Sequence, residues 1–246
     1  MEQLTRKYSL LLIIVVTSGF SCNKESAWDC VKTTGSIERE IRVVDDFTQI
    51  QLNQGINLIL TQSSAKSLVL EAGKNLLGKI TTIVDQGTLV IKNNNSCNWT
   101  RSYKKDINIY LNVDQLGTVT HNGYGKITST NTITSSSWRV DVIGDGDVEL
   151  DIDATYFYSG IYGSGTLALT GTIGDYGLWV SGNAWVRCET LNADSVFVTS
   201  GSSGDSYVKA LYKFKGVISN IGNIYYSGNP SDVILEATGS GQFISN

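Results

Sequence analysis

The chain has 246 residues, a net charge of −4, 25 glycines, four cysteines, one histidine and one proline. A single proline beside abundant Thr, Val, Ile and Tyr fits an all-β protein. Between Ile127 and Val208 the only cationic residues are Arg139 and Arg187, which argues against nucleic acid as a partner, because a phosphate backbone needs clustered Lys and Arg.

The N-terminus is a targeting segment rather than fold. Arg6 and Lys7 precede the apolar run "YSLLLIIVVTSGF" and then "SC", the pattern of a secretory signal over residues 1–21. The run is too short for a comfortable membrane span. "TSGFSC" resembles a bacterial lipobox, which implies that Cys22 is the first mature residue and carries lipid on its thiol. Lys24 and Glu25 are similar to the export signal that sends lipoproteins of Bacteroidetes-type bacteria to the outer face of the outer membrane. Residues 22–36 are then a lipidated linker and first strand. Removing residues 1–21 takes away Glu2, Arg6 and Lys7 and leaves a net charge of −5.

An N-terminal β portion follows over 37–116. "QIQLNQGINLIL" (49–60) predicts two strands about the Gln54-Gly55 turn. "KSLVLEA", "KITTIVD", "TLVIKN" after Gln86-Gly87, and "DINIYLNV" predict further strands. The one helical signal is a short turn in "GKNLLGK" (73–79). The secreted context permits disulfides. Cys30 and Cys97 both sit in polar, turn-like stretches and are expected to pair. Cys188 alternates onto the same side as Val186 and is expected to be a free, buried thiol. No Cys/His spacing suggests a metal site, and no cofactor is expected.

Residues 117–246 hold 19 of the 25 glycines. Turns recur at Gly123, Gly144, Gly163, Gly182 and Gly204, in steps of 21, 19, 19 and 22 residues. A period near twenty with one turn motif per period predicts a β-solenoid, a single-stranded β-helix. Val148, Leu150 and Ile152, then Leu167 and Leu169, Val186 and Cys188, and Val208 and Ala210 supply the inner faces that stacked coils bury. Gly-x-Gly also suits antiparallel hairpins, but the regular spacing favours the solenoid.

Phe47 and Ile50, the triplet Gly55-Ile56-Asn57, the pair Leu89 and Ile91, and the Gly-x-Gly coils from Gly123 resemble the head-GIN-domain family (DUF2807), bacterial proteins described as autotransporter adhesins. The likeness covers roughly residues 30–246. It implies this β fold and a binding role, and it brings no catalytic residues.

His121 is the lone histidine and sits in the turn "HNGYG", where polar residues are expected; no triad partner is evident. The run 141–153 carries Asp141, Asp145, Asp147, Glu149, Asp151 and Asp153. With Val148, Leu150 and Ile152 inward, Asp147, Glu149, Asp151 and Asp153 share the outer face, a solvated surface that matches no calcium-loop pattern. With Val180 and Val186 inward, Trp179 and Trp185 point outward. Together with Tyr158, Tyr162 and Tyr176 they form the candidate binding face. The sequence therefore points to a non-catalytic cell-envelope lipoprotein, anchored in the outer membrane by lipid, at the cell surface rather than the periplasmic face. Its expected role is adhesion or surface scaffolding, with a glycan or protein ligand and self-association into a homo-oligomer. The alternative is a glycan-binding or polysaccharide-degradation accessory, including a divergent β-helix lyase.

Overall fold

Period-two alternation punctuated by glycine leaves the chain little choice but short strands joined at sharp corners. The computed structural model describes residues 33–96 and 106–246; the expected lipidation site Cys22 and the expected Cys30–Cys97 disulfide lie outside the described residues. The N-terminal strands are β1 (Ile37–Arg42), β2 (Gln49–Asn53), β3 (Asn57–Gln62), β4 (Ser67–Gly73), β5 (Ile80–Asp85), β6 (Thr88–Asn93), β7 (Asn108–Val113), β8 (Thr118–Gly123) and β9 (Lys126–Ser129). One helical turn, α1 (Lys74–Leu77), falls within "GKNLLGK" and buries Leu76 and Leu77. The coils continue as β10 (Ile133–Gly144), β11 (Asp147–Gly163), β12 (Thr166–Gly182), β13 (Trp185–Ser202), β14 (Ser206–Ile218), β15 (Ile224–Ser227), β16 (Asp232–Ala237) and β17 (Phe243–Ser245).

These strands form a β-solenoid with two parallel ladders. The first ladder runs β7, β3, β9, then the opening halves of β11 to β14, then β15 and β17. The second runs β6, β2, β8, β10, the closing halves of β11 to β14, and β16. Parallel pairing rules out the hairpin alternative for the coils. A true hairpin occurs at β5–β6, where Gln86 and Gly87 take positive φ of 48° and 75°. Gln54 and Gly55 also turn at positive φ, but the strands they join belong to different ladders.

Spatial order departs from chain order at the N-terminal end. β2 and β3 lie between β6 and β7 on one side and β8 and β9 on the other. The chain lays down the second coil first, goes back to build the terminal coil, then returns to the far side. β4 adds antiparallel to β7, β1 to β4, and β5 to β6.

The corners are two columns of stacked glycines. Gly123, Gly144, Gly163 and Gly182 form the first; Gly125, Gly146 and Gly165 begin the second, which continues through Ala184 to Gly204, Gly222 and Gly241. A Cβ on Gly144 would stand 2.5 Å from the Gly123 carbonyl oxygen, so the stacking leaves no room for a side chain. Gly204 therefore belongs to the second column, which is why its step from Gly182 came out at 22 residues. Ser202 occupies the first-column place, in register with Gly182, and its hydroxyl donates to the Ala184 carbonyl at 2.9 Å.

Inside, the expected inner residues are buried from Val148 through Ala210. The second ladder adds a column of large rings: Trp138 lies 4.9 Å from Phe157, and Phe157 5.9 Å from Tyr176.

Candidate binding surface

Outward side chains on a parallel solenoid line up in rows along its axis, because register repeats coil after coil. One row of the second ladder reads Arg139, Tyr158, Gly177, Phe197, Lys215; the next reads Asp141, Gly160, Trp179, Thr199. The two outward glycines shape this surface. A Cβ on Gly177 would meet the Tyr158 ring at 2.6 Å, and one on Gly160 would meet the Tyr162 ring at 2.6 Å. Each tyrosine ring thus occupies the space a side chain on the neighbouring glycine would need. Trp179 remains 58 % exposed and Tyr158 46 %. Arg139 forks onto Asp141, with Nη2 donating to Oδ1 at 2.9 Å, and this contact raises the guanidinium pKa. The result is an aromatic shelf of Tyr158, Trp179 and Phe197, with an Arg–Asp pair at one end and Lys213 and Lys215 at the other.

Two residues of the sequence-based face do not belong on this shelf. Tyr176 is fully buried: it shares the parity of Leu178 and Val180, so the alternation that turns Trp179 outward turns Tyr176 in. Its hydroxyl meets Ser159 Oγ at 2.9 Å, and burial pushes its pKa well up. Trp185 is outward and exposed, but it lies across the Gly182–Ala184 corner, in the first ladder, beside Thr166. Phe197 was missed. Its row neighbour across the bare Gly177 is Tyr158, a relationship visible only once the 19- and 20-residue registers are known.

The acidic run splits between roles. Asp147 Oδ1 accepts from the Thr166 backbone N–H at 2.8 Å, Glu149 pairs with Lys126, and Asp151 accepts from Thr132 and Thr170. Among the described residues no three His, Cys, Asp or Glu side chains are grouped to hold a metal ion. His121 is not a turn residue. It points into the core of β8 between Leu52 and Val142, fully buried, and burial lowers its pKa.

The head GIN family model, described as a putative auto-transporter adhesin, matches residues 46–230. The chain belongs to that DUF2807 family. Among solved structures this head GIN protein is similar to a putative adhesin of Bacteroides fragilis, with a TM-score of 0.82 at 21 % identity over 87 % of this chain and 100 % of that one. It is also similar to a putative lipid binding protein of Parabacteroides distasonis (TM-score 0.70, 20 % identity, 87 % and 100 % covered) and to a putative adhesin of the same species (0.66, 17 %, 87 % and 99 %). At these identities the likeness is one of fold. No curated protein matches the chain.

Proposed function

We propose that this head GIN protein is a non-catalytic binding module of the cell envelope that captures a partner on the Tyr158–Trp179–Phe197 shelf. The observation that carries the reading is the exposure of three large aromatics in neighbouring rows held rigid by the ladder, with Tyr158 reaching over the bare backbone of Gly177. Clustered exposed aromatics on a rigid scaffold mark interaction sites, since they offer much contact area at small entropic cost. The adhesin descriptions of the family and of its structural neighbours agree with binding rather than catalysis. The lipobox-like segment supports an anchored form. Cys22→Ala is expected to move the protein from the membrane to the soluble fraction.

The decisive variant is Trp179→Ala combined with Tyr158→Ala. Cells displaying the wild-type chain are compared with cells displaying the variant for attachment to host-cell and bacterial surfaces. Loss of attachment with unchanged circular dichroism supports the shelf. Normal attachment by the folded variant rejects it.

A further inference from the structure

The first ladder carries a second surface, on the opposite side of the corner from the shelf and independent of it. Its outward row reads Glu149, Ala168, Arg187, Tyr207, Tyr225. Ala168 is the only small side chain in that row, and its shortness opens a groove of roughly 290 Å³. Glu149 and Asp151 stand on one side; Arg187 and Glu189 stand on the other, with Thr170 beside the floor. That volume is at the small end of ligand clefts, which start near about 300 Å³.

Arg187 is held in an unusual way. Its guanidinium lies 6.0 Å from the Trp185 ring centroid and 5.4 Å from that of Tyr207, and Tyr207 stacks on Tyr225 at 4.5 Å with an interplanar angle of 7°. No hydrogen bond or ion pair engages its N–H groups among the described residues. An arginine fixed by rings yet without an acceptor presents donors in a set orientation. Asp151 is oriented too: its Oδ1 accepts from Thr170 Oγ1 at 3.2 Å, and Ser129 Oγ accepts from its backbone N–H at 3.0 Å.

We propose that this groove is a binding site for neutral saccharides. A sugar hydroxyl both donates and accepts, so adjacent hydroxyls satisfy a carboxylate and the Arg187 guanidinium at once, and such charge-assisted bonds are the strong ones. The apolar face of the next ring packs on Trp185, which is 41 % exposed. Glu149 is paired with Lys126, and Asp151 and Glu189 still outnumber Arg187, so an acidic sugar meets net repulsion. A lysine side chain pairs with the carboxylates but brings no acceptor for Arg187, whereas a sugar hydroxyl serves both.

The test is isothermal titration of the folded protein with cellohexaose, mannohexaose and xylohexaose as neutral probes, hexagalacturonate as the acidic probe and oligolysine as the cationic one. At least one neutral hexasaccharide binds. Arg187→Ala weakens it by about tenfold or more, as loss of a charge-assisted bond requires. Ala168→Trp, an outward substitution that fills the groove, abolishes it with unchanged circular dichroism. Trp179→Ala on the other surface leaves it intact. Absence of heat with all neutral probes up to about 10 mM, preference for the acidic or cationic probe, or binding that survives both groove variants would each overturn the proposal.

Discussion

The Asn57 side chain joins the coils on either side of it: Oδ1 accepts from the Lys126 backbone N–H at 2.9 Å, and Nδ2 donates to Asn108 Oδ1 at 3.0 Å. Asn57 is the last residue of the Gly55-Ile56-Asn57 triplet. Gly55 supplies the positive φ of 49° and Ile56 is wholly buried. The triplet that carries the family resemblance is thus a structural clamp on the coil that lies between two others. The device recurs at the same place after later corners: Asp205 Oδ1 accepts from Asn223 N–H at 2.8 Å, and Asn223 Oδ1 from Gln242 N–H at 2.9 Å.

Asn57→Ala removes both bonds and is expected to cost about 1–3 kcal/mol. Asn57→Asp keeps the acceptor, loses the donor and should cost less. Urea denaturation measures both, as a lowered midpoint with unchanged slope. Equal stability of Asn57→Ala and wild type would remove the clamp.

His121 links the core to pH. Its folded pKa is lowered by burial, so the neutral ring is the form that fits. The unfolded chain binds a proton near the ordinary value of about 6.5. The stabilising contribution is therefore complete above that pH and declines as pH falls from there through the depressed folded pKa. Thermal melts should show this decline in wild type and a flatter profile in His121→Leu over the same range. Glu71, whose pKa is lowered by Asn108 and Arg39, acts at more acid pH and stays in both proteins. Identical profiles would show that His121 is not the titrating group.

The solenoid was legible because glycine columns and period-two alternation are local signals. The inward set from Val148 to Ala210 follows from them directly. What the sequence concealed depends on register between coils. No local feature says that β2 stacks on β8, 69 residues along the chain at Ile50 and Val119, rather than on the strand that follows it. Tyr176 is a different case: its parity with Leu178 and Val180 turns it inward, although it lies three residues from the outward Trp179 and looks in the sequence like part of one aromatic group. His121 was hidden because a polar residue next to Asn122-Gly123 reads as part of the turn, while the ladder shows the strand continuing through it.

Cys188 gives a probe of that core. The thiol is fully buried and free, 4.0 Å from the Tyr176 hydroxyl, and burial pushes its pKa up to about 12. A thiol so placed is neutral and inaccessible at physiological pH. Cys188 is expected to resist iodoacetamide in the native protein and to react fully in denaturant. Rapid native labelling would show that the coils around β13 open readily.

The end of the solenoid at β16 makes the last prediction. Among the described residues β16 pairs along one edge alone, with β14, and all six of its residues are exposed, including Val233, Ile234 and Leu235. An apolar edge of this kind templates further pairing. A second copy arriving antiparallel must set inward residues against inward ones, which leaves two central registers. Centring on Ile234 opposes Asp232 to Glu236. Centring on Leu235 opposes it to its own copy, Val233 to Ala237 and Ile234 to Glu236, with no like charges facing. The second register is the expected one, in a twofold dimer. Sedimentation of the protein without residues 1–22 should show a concentration-dependent dimer. Leu235→Lys places two lysines together across the axis and should yield monomer with unchanged circular dichroism, whereas Ile143→Lys, also at an exposed position, should still dimerise. A wild-type protein that stays monomeric up to about 100 μM would mean that this edge is not self-complementary.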